Sequence, residues 1–160
     1  GIGNSVSGGG GVNIGTYFGT ARVSYMDTAV ENGTAGSEQS RLTFGTALGG
    51  TLSEKMRIDS SGNLTATGNV TAYSDERLKS DITTIDNALD KVTAMRGVTF
   101  TKDGEASSGV IAQEIEKIAP ELVMDGDYKS VAYGNLVGYL IEAVKELSAK
   151  VEELENASSK

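Results

Sequence analysis

Six apolar residues near the C-terminus, Val137, Leu140, Val144, Leu147, Val151 and Leu154, recur at intervals of 3, 4, 3, 4 and 3. This spacing is the a/d seam of a heptad repeat, with Val at every a and Leu at every d. It predicts a helix over roughly 135–156 and leaves two uses for it. The helix can lie on its own domain, or it can meet copies of itself in a coiled coil. A strict two-in-seven stripe is narrower than the face a core-packing helix presents, which favours the coiled coil. Val at a with Leu at d leans toward two strands, but a seam of nearly three heptads is too short to fix the number. Glu142, Lys145, Glu146, Lys150, Glu152 and Glu153 fall on the remaining faces.

Upstream, the composition changes character. Residues 1–73 hold 15 of the 21 glycines, with 4 basic and 5 acidic residues. Residues 74–160 hold 10 basic and 17 acidic residues, so nearly all of the net charge of −8 lies there. Two modules are expected, 1–73 and 74–160. The first is read as β-rich: Val12–Ile14 and Ala21–Tyr25 are strand-like, and Arg41–Thr46 alternates. Lys55–Asp59, Ser60–Asn63 and Leu64–Thr71 read as strand, turn and strand. Gly8–Gly11 is a loop-forming tract. With so few large apolar residues, 73 residues bury too little to fold alone. Either the segment is disordered or it buries its strands against identical copies; the strand alternation favours the second, an intertwined stalk.

The second module reads as α+β. Ile85, Leu89, Val92 and Met95 have helical spacing, with Thr83 or Thr84 as N-cap, Asp86 in the first turn and Gly97 as the stop. Val98–Thr101 reads as a strand, Lys102–Glu105 as a turn, and Gly109–Ala112 as a short buried strand. That strand leads into a helix carrying Ile111, Ile115 and Ile118, which Pro120 ends. Leu122–Met124, Asp125–Asp127 and Tyr128–Val131 read as strand, turn and strand.

The chain contains no Cys and no His. Disulfides, thiolate sites, zinc sites and every His-dependent triad are excluded. The negative charge disfavours a non-specific grip on nucleic acid or on an anionic membrane, and no apolar run reaches membrane-spanning length. Neither a metal nor any other cofactor is expected. Asp75/Glu76 and Asp125/Asp127 are carboxylate neighbours in turns, where acids are usually solvated. Asp125-Gly126-Asp127 is too short for a calcium loop, and Gly8–Gly11 lacks the Gly-Lys-Ser/Thr ending of a phosphate loop.

Ser/Lys chemistry is left. A lysine serves a serine as base only when burial or a nearby cation lowers its pKa. Ser74 and Lys79 are five residues apart, which does not place them on one helix face. They meet only if the segment bends or if the lysine comes from another subunit. By spacing alone they read as an ordinary surface pair.

The stretch Ser74-Asp75-Glu76-Arg77-Leu78-Lys79-Ser80-Asp81-Ile82 resembles the opening of the C-terminal intramolecular chaperone domain of bacteriophage endosialidases, tail fibres and neck appendages. The similarity continues, in order, through Ala88–Val92, Arg96–Phe100, Gly109–Glu116, Pro120–Val123, Tyr128–Tyr133 and Leu140–Leu147. The insert between Phe100 and Gly109 is short, a reduced middle region. The resemblance implies a homotrimeric fibre protein whose chaperone domain assists trimer folding and is then removed by self-cleavage. Carried over, the scissile bond is Tyr73–Ser74, Ser74 is the nucleophile, Lys79 its base, and Asp75 an orienting residue. It implies a stalk in a virion tail fibre and a chaperone domain released in the host cytoplasm during assembly. The implied partner is the chain itself, with a host-surface glycan or receptor as the partner class open to the stalk, and neither nucleic acid nor membrane insertion. Two other readings stay open. One is a fibre end whose trimerisation cap is retained without proteolysis. The other, disfavoured by the Gly-rich stalk and the lack of a basic patch, is a self-releasing membrane-bound transcription factor of the host.

Overall fold

The computed structural model describes residues 2–6, 12–34, 37 and 39–159, so the Gly8–Gly11 tract lies outside the described residues. The chain divides into two compact units, Gly1–Asp75 and Glu76–Lys160.

In the first unit, β1 (Ile2–Val6), β2 (Val12–Phe18), β3 (Ala21–Asn32), β4 (Gln39–Leu48), β5 (Thr51–Ile58) and β6 (Leu64–Ala66) form one sheet in sequence order. Every neighbouring pair is antiparallel. Turn chemistry explains this order. Leu48 pairs with Thr51 across Gly49 (φ 57°) and Gly50 (φ 82°), the left-handed pair that a tight hairpin demands. At the next turn the Asp59 carboxylate accepts from the Ser61 and Asn63 N–H groups at 3.0 and 2.9 Å. In cross-strand register Gly45 faces Tyr25, whose ring lies over it; a Cβ at Gly45 would collide with Tyr25 Cε1.

Within one chain, each described strand pairs with its neighbours in sequence. The last strand ends at Ala66 rather than Thr71. Beyond it, the Thr67 N–H still bonds the Lys55 carbonyl at 2.9 Å, and residues 69–75 then run without regular structure.

The second unit contains α1 (Ala88–Ala94), β7 (Val98–Lys102), β8 (Glu105–Gly109), α2 (Ala112–Ile115), β9 (Val123–Met124), β10 (Ser130–Val131) and α3 (Leu136–Ser158). It also has single 3-10 turns at Glu76–Leu78, Pro120–Leu122 and Tyr133–Asn135. β7 and β8 form one hairpin, β9 and β10 another. Buried Ile115, Ala119, Leu122 and Tyr139 make the core, with Ile85, Val92, Met95, Val110, Val123 and Leu136 packed against it. The unit is thus a small α+β domain ending in a long helix.

Three local expectations are corrected. α1 starts at Ala88, not after Thr83 or Thr84, and its N-cap is Asn87 in a left-handed conformation (φ 54°). Residues 82–85 are non-helical, so Ile85 reaches the core from an irregular segment. The helix ends because Met95 turns extended (ψ 144°), before Gly97 is reached. The strand expected at Gly109–Ala112 lies earlier, at Glu105–Gly109, where it pairs with β7 across Asp103 and Gly104, both at positive φ. Finally, α2 ends at Ile115, and Pro120 opens a 3-10 turn rather than closing the helix.

Candidate functional site

The junction between the units carries the candidate chemistry. Tyr73 is 96% exposed, and Ser74, Asp75 and Lys79 are exposed. The division between units passes between Asp75 and Glu76, so Ser74 and Asp75 close the first unit and Lys79 belongs to the second. One 3-10 turn, Glu76–Leu78, separates them. It is closed by the Lys79 N–H donating to the Glu76 carbonyl at 3.0 Å. Tyr73 and Ser74 are thus both at the surface of the single chain.

The second feature is α3, which presents two adjacent faces. On one, Tyr139 and Ala143 are each 4% exposed against the unit's own core. On the other, the seam residues Val137, Leu140, Val144, Leu147, Val151 and Leu154 are 45–68% exposed. The helix thus docks on its own domain and still holds its heptad stripe free within a single chain.

Side-chain bonds fasten the docked face. The Glu146 carboxylate accepts from the N–H groups of Ala88 and Leu89, each at 2.9 Å, which caps α1 from another helix. These two backbone donors hold Glu146 below the usual carboxylate range. The Tyr139 hydroxyl donates to Glu121, and Lys91 Nζ sits 5.6 Å from the centre of the Tyr139 ring. Burial, then the Glu121 carboxylate, push the Tyr139 hydroxyl up to about 12. Arg96 holds Glu114 with two bonds, Nε–Oε2 at 3.1 Å and Nη2–Oε1 at 2.5 Å, tying the chain after α1 to α2. Lys129 bonds both Asp125 and Glu116, so Asp125 belongs to an ion-pair cluster.

Sequence reasoning missed Glu146, which reads as one of several solvated acids, and Tyr139, which lies off the seam. The available signal was the pair Tyr139 and Ala143, one turn apart on a second stripe beside a and d. Among the described residues no group of three metal-ligating side chains comes together, and no helix is long and apolar enough to cross a membrane.

Residues 74–124 match the peptidase family described as Chaperone of endosialidase. The chain is 40% identical over 101 residues to the Long tail fiber protein Gp37 of Enterobacteria phage K3, covering 55% of this chain and 8% of that protein. It is 33% identical over 119 residues to the Long tail fiber protein Gp37 of Salmonella phage S16, covering 61% of this chain and 16% of that protein. The chain therefore spans a small fraction of these relatives. It also resembles the carboxy-terminal domain of the bacteriophage T5 L-shaped tail fiber with its intra-molecular chaperone domain, at 13% identity and a TM-score of 0.41, covering 96% of this chain and 59% of that one.

Proposed function

We propose, from the match of residues 74–124 to the chaperone of endosialidase family, that the chain is the C-terminal part of a phage tail fibre whose second module aligns three chains and then cuts itself away. The observation that supports this best is the division of labour on α3. The same helix that completes the domain core through Tyr139 leaves a Val/Leu heptad stripe uncovered. A stripe of this kind is stable in water only against another copy.

Alignment answers a physical need. Among the described residues, the strands of the first unit form a single sheet. With 15 glycines in residues 1–73, each chain loses much backbone entropy on ordering. A C-terminal bundle raises the local concentration of the other chains and sets their register. Release afterwards leaves a fibre whose persistence is kinetic.

The cleavage follows from acyl chemistry. Ser74 Oγ attacks the Tyr73 carbonyl carbon while Lys79, in its neutral form, takes the hydroxyl proton. The C–N bond breaks, the Ser74 nitrogen leaves as an amine, and an ester joins Tyr73 to Ser74 Oγ. Water hydrolyses the ester, giving a C-terminal Tyr73 carboxylate and an N-terminal Ser74. Because Lys79 is exposed in one chain, the burial that makes it a base comes from a neighbouring subunit, which ties cleavage to completed assembly. Asp75 orients the lysine. The stalk stays in the virion tail fibre, where a host-surface glycan or receptor is its partner class, and the chaperone module is left in the host cytoplasm.

The test is denaturing electrophoresis and intact mass of the expressed chain, with light scattering of the native material. Two fragments meeting at Tyr73–Ser74, from a trimer, are the expected result. One intact band from a trimer replaces this reading with a retained, non-cleaving trimerisation cap. A monomer removes both.

A further inference from the structure

The sheet of the first unit has two chemically different faces, set by its register. Ile14 lies opposite Met26, Met26 opposite Phe44, and Phe44 opposite Met56, so one continuous apolar row crosses four strands. Beside it on the same face, Leu42 lies opposite Ile58. Alternation puts the neighbouring residues on the other face, where Arg41 pairs with Glu31 at 3.5 Å and Arg57 with Glu54 at 3.0 Å. A sheet that gathers its ion pairs on one face and carries this apolar row on the other, beside the hydroxyls of Thr16, Ser24 and Thr46, is suited to be covered on the side of the row. In a single chain that side is open: Ile14 is 40% and Met26 39% exposed.

We propose that this face, centred on Met26 and Phe44, is the surface through which the stalk sheets of neighbouring copies pack on one another, with the Arg41/Arg57 face turned to solvent. The inference rests on the reading that α3 assembles the chains, and it names the surface that the first unit contributes. The occupant is a second copy of the chain for two reasons. The row carries no charge and presents no ion-pairing group, so it fits an equally apolar surface, and its own counterpart is one. Residues 67–75 tether each sheet to its helix-bearing unit with a reach of at most about 30 Å. Copies joined at the α3 seam therefore hold their sheets at millimolar-range effective concentration.

The methionines supply the probe. Met26 and Met56 lie on this face, whereas Met124, 49% exposed, lies in the second unit. The full chain is treated briefly with hydrogen peroxide and sulfoxide formation is read at each methionine by peptide mass spectrometry. The same sample is sized by light scattering. In the assembled chain Met26 and Met56 are expected to oxidise about tenfold more slowly than Met124. In Leu140→Asp/Leu147→Asp, which separates the copies, Met26 is expected to match Met124. Fast oxidation of Met26 in a chain that sizes as a trimer overturns the proposal and leaves the assembly reading standing. Protection that persists in the separated variant also overturns it, by showing that the chain covers its own sheet. A monomeric wild-type chain overturns the assembly reading and the proposal together.

Discussion

Glu146 and Ala88 are joined across 58 residues of sequence by a 2.9 Å bond from the Ala88 N–H to Glu146 Oε1, so α1 begins where α3 provides its cap. Asn87, the residue at the cap position, makes no side-chain bond there. The start of a seven-residue helix, too short to persist by propensity, is thereby set by tertiary contact. Glu146→Ala is expected to lower the unfolding midpoint of the second unit by on the order of 5 °C, and Glu146→Gln, which keeps one acceptor, by less. Calorimetry of the three proteins checks this; equal midpoints would show that the carboxylate is dispensable.

Processing should depend on two side chains and folding on neither. Ser74→Ala is expected to leave a single full-length band with an unchanged oligomeric mass, since an exposed hydroxyl contributes little burial. Lys79→Ala is expected to slow cleavage by at least about a hundredfold with assembly intact. Fragments from Ser74→Ala at the wild-type rate would assign the cut to another protease.

The seam offers a separate handle. Leu147 is 49% exposed and one turn from Ala143, which is buried. Leu147→Asp is expected to convert the trimer to monomer at micromolar concentration while the far-ultraviolet dichroism of the second unit stays close to wild type. Loss of helix together with loss of mass would mean that α3 is held in place by its copies rather than by its own domain.

Stability should fall at both ends of the pH scale. Glu114, Glu121 and Glu146 are depressed below 4.5, by Arg96, by Tyr139 and by the Leu89 and Ala88 N–H groups respectively. A depressed carboxyl contributes stability that is complete above its unfolded value and is lost as pH falls through the folded one, so the acid loss is expected below about pH 4.5. The Tyr139 hydroxyl is raised from 10.0 to about 12, so its contribution is complete below pH 10 and disappears as pH rises toward 12. Urea midpoints taken from pH 3 to pH 11 check both limbs, and Tyr139→Phe is expected to remove the alkaline one.

The sequence was legible where structure is local. Alternation in Arg41–Thr46 and the heptad stripe each specify their element from within a few residues, and β4 and α3 follow; the Lys102–Glu105 turn was read, but the strand after it was placed at Gly109–Ala112 instead of Glu105–Gly109. What was not legible depends on distant partners. Thr83 and Thr84 look like caps, but Glu146 caps α1 instead and moves its start to Ala88. Ile85 has helical spacing with Leu89, yet it packs on the core from an irregular segment. The Gly49–Gly50 turn, counted as composition, is what sets the β4–β5 pairing. Of the candidate site, the positions of Ser74 and Lys79 in the chain were readable. Their exposure agrees with the surface reading that their spacing gave.

The sequential order of the meander has a consequence for how such a fibre changes over evolutionary time. Each strand pairs only with the strands before and after it, and the cross-strand line from Ala66 through Met56, Phe44, Met26 and Ile14 returns to Asn4. With six strands the chain leaves the sheet toward the end at which it entered. Duplicating or deleting one hairpin preserves that exit, disturbs no other register and keeps the apolar row continuous. The sheet can therefore gain or lose width in two-strand steps without changing the end from which residues 67–75 leave it.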